Sequence, residues 1–305
     1  MNGGGRDWNF STGRARRSDN LGRPSRPLSG LSKGQPPLEG VLKCDFETIT
    51  ASNRSPYTLA GTNTYLLGSR ERGVVIDPGP DDPAHLAAVL DRASARGWRI
   101  ALILVSHGHS DHIGGADQLS RATGAAVRRW GGKEPLRDGE LIPDDRATLR
   151  VLYTPGHAAD HVAFHWPARG ALFSGDLLLG EGTVQVTPPG GSMAEYLQSL
   201  ERVAGLDLAL IAPGHGPLIH YPGQRIALYR AHRLERERQV VAAVASGLRT
   251  VSDITSALYV GLDPRLRRAA EGTVTAHLEK LAAEGRVWRQ DADHFAPVGM
   301  RSAQT

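Results

Sequence analysis

The chain has 305 residues, 40% of them hydrophobic, enough for one large α/β domain with an appendage or for two domains. The net charge of +4 comes from residues 1–40, where seven Lys and Arg face three acids; the rest is balanced, so the charge does not announce a nucleic-acid-binding body. The single cysteine, Cys44, excludes an internal disulfide framework and suits a reducing compartment, and no apolar run approaches the roughly 18 to 20 residues of a membrane helix.

Residues 1–40 read as a disordered basic tail. They lack the apolar core of a secretory signal. Their Arg and Ser are shared with organelle transit peptides, but interspersed Gly and Pro oppose an amphipathic helix. A cytoplasmic location is therefore the expectation, with organelle import the alternative. Strand character follows at 41–50 and 62–68, then a buried strand from Gly73 to Asp77. After the Pro78-Gly79-Pro80 turn, Asp81 or Asp82 can cap a helix with Pro83 in its first turn, running to about Ala95. The next strand is Ile100 to Val105, and a helix is expected over 113–123.

A second run of strands is expected over 125–176, containing Thr148 to Tyr153, Asp160 to Trp166 and Gly170 to Phe173. A glycine-rich loop (180–191), a helix from Met193 to Val203 and a strand from Leu206 to Ala212 complete a core domain over 41–224. Residues 225–305 then read as three helices (225–246, 251–259 and 265–284) and a hairpin around Asp291-Ala292-Asp293, the element order of a winged helix.

The chemistry is concentrated after the strand that ends at Val105. His107, His109, Asp111 and His112 place four metal-binding groups within six residues. In an extended segment His107 and His109 point the same way and can grip one ion, while Asp111 and His112 can face a second. The arrangement of apolar strand, sharp Gly-containing turn and metal-binding residue recurs at His157, Asp176 and His215. Groups gathered from the same ends of several strands are what an α/β scaffold provides.

With these residues assembled, the chain resembles the metallo-β-lactamase-fold hydrolases, whose H-x-H-x-D-H signature stands here as His107, His109, Asp111 and His112. Within them it is most similar to the β-lactamase-like protein 2 group, through Gly61-Thr62-Asn63-Thr64-Tyr65, Thr154-Pro155-Gly156-His157, Phe173-Ser174-Gly175-Asp176, Pro213-Gly214-His215-Gly216-Pro217 and His232-Arg233 with Arg236-Glu237-Arg238-Gln239. The similarity covers about 41–298. It implies an αβ/βα sandwich with a C-terminal winged-helix-like segment and two divalent ions. One ion would take His107, His109 and His157, the other Asp111, His112 and His215. Asp176 would bridge them, and Asp111 and Asp176 would carry the catalytic role. Zinc is the first choice on ligand type, with manganese or iron able to occupy such a site.

The resemblance implies hydrolysis by a hydroxide shared between the metals, with single-stranded RNA the first-ranked substrate because one member of the group is an endoribonuclease. A thioesterase or lactonase of the glyoxalase II type is the alternative, since both reactions need the same nucleophile. A winged-helix binding protein with a structural metal site comes third. Residues 184–191 look divergent from the RNA-cleaving relative, and loops beside a site govern what fits. A phosphodiesterase would show a cationic groove beside the metals, and a thioesterase a narrow pocket.

Asp77 can either orient a ligand or cap a turn. His161 and His165 read as ordinary strand residues, His220 as a possible substrate contact, and Asn63 and Tyr65 as parts of a structural turn. On helix 265–284 basic and acidic residues interleave, so duplex DNA is not an expected partner. That segment is expected to pack on the core domain, mediate self-association, or wall one side of the cleft.

Overall fold

The structure, a computed structural model, describes residues 46–69, 71–143, 148–291 and 293–300. The expectations for the 1–40 tail, for Cys44, for the first residues of strand 41–50 and for Ala292 lie outside the described residues. Two five-stranded sheets face each other. The first runs β1 (Phe46–Thr50), β2 (Asn63–Ser69), β3 (Arg72–Ile76), β4 (Arg99–Leu104) and β5 (Ala126–Arg128), antiparallel up to β3 and parallel beyond it. The second comprises β6 (Leu141–Ile142), β7 (Leu149–Tyr153), β8 (Val162–Trp166), β9 (Ala171–Gly175) and β10 (Leu210–Pro213), of which only β9 and β10 pair in parallel.

The alternation of side chains along each strand builds the layers. In β2, Tyr65 and Leu67 enter the space between the sheets while Leu66 points outward; Val74 and Ile76 of β3 repeat this around Val75. From the second sheet Val162, Phe164, Trp166, Ala171 and Phe173 meet them. The rings of Phe46, Tyr65 and Phe173 lie within 5.1–5.6 Å of one another, centroid to centroid. Two helices, α1 (Pro83–Ala95) and α3 (Ala116–Thr123), cover the outer face of the first sheet. The short α2 (Ser110–Ile113) precedes α3, and α4 (Met193–Ala204) covers the second sheet. Asp82 caps α1, accepting from the Ala84 N–H at 2.9 Å, with Pro83 at the first helical position. The result is an αβ/βα sandwich.

Helix α5 (Pro222–Ala245) is 24 residues long and serves two cores. Ile226 and Tyr229 pack with α4 under the second sheet; Val240, Ala243 and Val244 pack with α6 (Val251–Leu258), α7 (Arg267–Ala283) and the antiparallel pair β11 (Val287–Arg289) and β12 (Phe295–Pro297). These last elements form the C-terminal winged helix. Buried Glu237 of α5 accepts from Lys280 at 2.7 Å and from Arg286, fastening the unit internally. Among the described residues no helix is long and apolar enough to cross a membrane.

Four local expectations need correction. The helix expected over 113–123 is interrupted at Gly114-Gly115, because the Gly115 N–H donates to Gly79 O (3.0 Å) and the glycines lie directly against the Pro78–Asp81 turn. Residues 126–128 do not open the second run of strands; they add β5 to the first sheet, beside β4. The strand expected from Leu206 begins at Leu210, since the Ala209 and Leu210 N–H groups are both taken by Gly170 O. The helix expected from 265 begins as a 3-10 turn over Pro264–Leu266, and α7 proper starts at Arg267.

Candidate metal centre

Each of the four strand-and-turn segments delivers its residue to the same edge of the sandwich. β4 leads to His107, His109, Asp111 and His112; β7 leads to His157; β9 to Asp176; β10 to His215. The structure brings all seven together. His107, His109 and His157 present ligand atoms within 4.8 Å of one another, as do Asp111, His112 and His215, and as do His107, His112 and Asp176.

The imidazoles are aimed by what their far nitrogens touch. His157 Nδ1 lies 2.8 Å from Gln185 O and His215 Nδ1 lies 3.3 Å from Gly61 O; a carbonyl only accepts, so these Nδ1 atoms carry a proton and Nε2 is the nitrogen left to face a cation. His112 Nδ1 donates to Asp77 Oδ2 at 2.9 Å. Asp77 also accepts from the Ser106 N–H (2.7 Å) and Ser106 Oγ (2.8 Å), and holds a left-handed backbone, φ 52°, that Asp tolerates better than most residues. Of its two sequence readings, orientation of a ligand is the one the structure displays.

The freed atoms converge. His109 Nδ1 lies 2.9 Å from His107 Nε2 and 3.1 Å from His157 Nε2. His215 Nε2 lies 3.3 Å from both His112 Nε2 and Asp111 Oδ2. A tetrahedral ion with bonds near 2.05 Å separates its ligands by about 3.3 Å. Asp176 stands between the sets, with Oδ1 at 3.5 Å from His112 Nε2 and 3.4 Å from His215 Nε2, and Oδ2 at 3.6 Å from His157 Nε2. Its Oδ1 is buried and makes no hydrogen bond, an arrangement that costs free energy unless a cation completes it. The donor set fits a pair of divalent ions.

The protonation tendencies agree. Burial alone would raise the Asp111 carboxyl, but the His215 and His112 rings outweigh it and bring it down to about 2. Burial would lower His215, yet Asp176 and Asp111 lift it to about 9. The carboxylates thus draw positive charge to the place where ions would sit.

Several residues have roles that the sequence does not disclose. His161 is no ligand and no mere strand residue: its Nε2 accepts from the Asp176 N–H at 3.1 Å, while Nδ1 bonds Thr154 Oγ1 at 2.9 Å. Burial, with the neighbouring His157, lowers its pKa to about 3, so it stays a neutral acceptor. Thr62 Oγ1 reaches Asp111 Oδ2 at 3.4 Å, and its place in the Gly61–Tyr65 motif is the only sequence signal for it. Asn63 and Tyr65 are structural: Asn63 Nδ2 donates to Pro213 O and Gly216 O, and Tyr65 OH to Pro213 O at 2.7 Å, pinning the turn that carries His215. His165 stays in β8 opposite Arg150, and exposed His220 is not among the residues lining the cleft.

The ligands open into a cleft of ≈ 350 Å³ whose far wall is the winged helix, contributing Tyr259, Leu262, Leu266, Ala270 and Thr273. Tyr57 OH donates to Arg265 O (2.9 Å) and ties the two walls together. The loop after Asp176 is held from below, where Tyr229 OH accepts from the Leu179 N–H and Arg233 donates to Val184 O.

Replacing Asp77 with Ala is expected to weaken metal binding roughly 10- to 100-fold while leaving every donor atom in place, because His112 loses its orienting acceptor. Competition with a chromophoric chelator checks this, and unchanged affinity would reduce Asp77 to a turn residue.

An αβ/βα sandwich with imidazole and carboxylate donors gathered at one edge defines a metallohydrolase scaffold. The sequence comparisons assign it further. A family model described as the metallo-beta-lactamase superfamily matches residues 57–130 and 125–215, and one described as a beta-lactamase associated winged helix domain matches 250–294. The chain is 32% identical over 272 residues to a beta-lactamase-like protein 2 homolog of Caenorhabditis elegans, covering 84% of this chain and 90% of the relative. It is also 32% identical over 250 residues to an atrochrysone carboxyl ACP thioesterase of Aspergillus fumigatus, covering 78% and 76%. A crystal structure of a metallo-beta-lactamase family protein from Thermus thermophilus superimposes with a TM-score of 0.72 at 24% identity, covering 83% of this chain and 98% of that one. The chain belongs to the metallo-β-lactamase superfamily and is a hydrolase of that fold.

Proposed function

We propose that this chain hydrolyses acyl thioesters with two divalent ions, zinc by donor chemistry. His107, His109 and His157 form one ligand set, Asp111, His112 and His215 the other, and Asp176 is shared. When bound, such ions supply Lewis acidity that polarises a scissile carbonyl and allows water to act as nucleophile near neutral pH. The protein's part is geometry. Asp77, Gln185 O and Gly61 O fix the rings, while Leu59, Leu179, Val184, Leu262 and Leu266 line the cleft with apolar surface beside the ligands.

The observation that carries this reading is the character of the cleft. It is an open cleft between the sandwich and the winged helix in which apolar side chains stand beside the ligands, and among the described residues Arg233 is the one Arg or Lys lining it. A groove that tracks a phosphate backbone needs a succession of cations. Two basic residues of the winged-helix wall are committed within the protein: Arg265 pairs with Asp263 at 2.7 Å and Arg267 with Glu271 at 2.9 Å. The relative from A. fumigatus named as a thioesterase supports the same direction.

Cleavage of single-stranded RNA is the second reading. It rests on the similarity to the β-lactamase-like protein 2 group and on Tyr57 and Tyr259, whose rings line the cleft and would stack on a base. One experiment separates the readings: metal-loaded protein is given a panel of acyl thioesters and an end-labelled single-stranded RNA, beside an Asp111→Ala variant and a chelator control. Thioester turnover lost in both controls is expected. RNA cleavage with no thioester turnover would reverse the order, and retained metal without either activity would favour a binding protein with a structural site.

A further inference from the structure

Arg233, on α5, is buried to 2% exposure yet lines the same cleft as His109, Asp111, His157, Asp176 and His215. A guanidinium carries five N–H donors and stays charged, so burying it is costly unless acceptors surround it. Here they are few and neutral. One Nη2 bond goes to Val184 O, the cation lies 5.2 Å from the centroid of the Tyr196 ring with the Tyr196 hydroxyl as a further polar neighbour, and the buried Nε has no partner. Among the described residues no carboxylate lies within ion-pair distance of it. Asp111 and Asp176 are turned to the imidazoles, and Glu181 stands exposed. Arg236 does not share this position; it donates to Leu258 O at 3.2 Å, sits over the Tyr259 ring and does not line the cleft.

A buried cation without a counter-charge, in a pocket that already holds the reacting site, is half of an ion pair. We propose that Arg233 is a specificity-determining residue whose partner is an oxyanion on the substrate, a carboxylate or a phosphate close to the bond that is hydrolysed. This rests on the acyl-hydrolase reading and narrows it. Neutral acyl thioesters would leave the Arg233 charge unpaired in the complex, whereas an anionic substrate would supply a counter-charge where the guanidinium borders the cleft. Charge-assisted hydrogen bonds to a buried guanidinium account for selectivity of roughly 10- to 100-fold.

The test compares matched thioesters that differ by one anionic group. Glutaryl against valeryl pantetheine places a carboxylate on the acyl side; valeryl phosphopantetheine against valeryl pantetheine places a phosphate on the thiol side. The wild type is expected to prefer one anionic member roughly 10- to 100-fold in kcat/KM, and the arm showing the preference identifies the anion's source. Arg233→Met should bring that ratio near one, and Arg233→Lys should retain part of it. A residue that merely fastens the Val184 loop would alter both rates together and leave the ratio alone.

Should Arg233→Met not fold, inert thioether analogues of the same pairs, titrated into metal-loaded wild type and Arg233→Lys by calorimetry, report the preference without turnover. Equal affinity for the charged and neutral analogues would overturn the proposal. Absence of thioester turnover together with retained preference for the charged analogue would sink the acyl-hydrolase reading and leave the anion subsite standing.

Discussion

Asp176→Ala is expected to lower bound metal from about two ions per chain to one or fewer and to remove turnover, because among the described residues it is the carboxylate that faces both ligand sets. Oδ1 lies 3.4–3.5 Å from His215 and His112, and Oδ2 lies 3.6 Å from His157. Without that carboxylate two cations would share a site in which Asp111 is the one remaining carboxylate among the seven ligands, and their mutual repulsion would be poorly offset. The variant should nevertheless fold. The bond that seats this residue runs from its backbone N–H to His161 Nε2, and alanine keeps it. Metal content by atomic emission and rate on the best thioester, measured on protein with a native circular dichroism spectrum, check the expectation. Full activity with one ion per chain would overturn the shared-carboxylate assignment.

The local parts of this site are legible in the sequence and the long-range parts are not. His107, His109, Asp111 and His112 announce themselves because four donors fall within six residues. The layer order follows from alternation such as Tyr65-Leu66-Leu67, where the two faces of one strand enter different cores. Asp77 stays ambiguous in sequence because its bond to His112 spans 35 residues and exists only where β3 and β4 lie side by side. His161 reads as a strand residue because nothing before folding says that β8 and β9 will bring it under the Asp176 N–H. β5 is three residues long, and its sheet is decided by what it meets at β4. Arg233 belongs to the His232-Arg233 pattern of the resemblance, but in a helix so rich in charge that pattern assigns it no place; the fold shows that it is buried beside the cleft while Arg238 is exposed.

Gly214→Ala is expected to damage the centre as severely as loss of a ligand, although glycine offers no donor side chain. A Cβ at this position would stand 2.5 Å from Asp176 Oδ1, 2.7 Å from His112 Cε1 and 3.1 Å from the Gly175 carbonyl carbon. None of these can easily withdraw. His112 is held by Asp77 at 2.9 Å, and Asp176 is seated by His161. Nor can residue 214 retreat, since its N–H donates to Gly175 O and its carbonyl accepts from the Asn63 N–H, both at 2.8 Å. The added methyl therefore displaces one or both ligands. A misplacement approaching 1 Å costs about 100-fold in rate, and metal affinity should fall with it. Gly223→Ala, in α5 with open space around it, is the control and should change activity little. If Gly214→Ala matched that control in metal content and kcat/KM, the close packing of the His215 turn against Asp176 would be irrelevant to the chemistry; a loss confined to Gly214→Ala would make the turn that carries one ligand the gauge that sets the position of another.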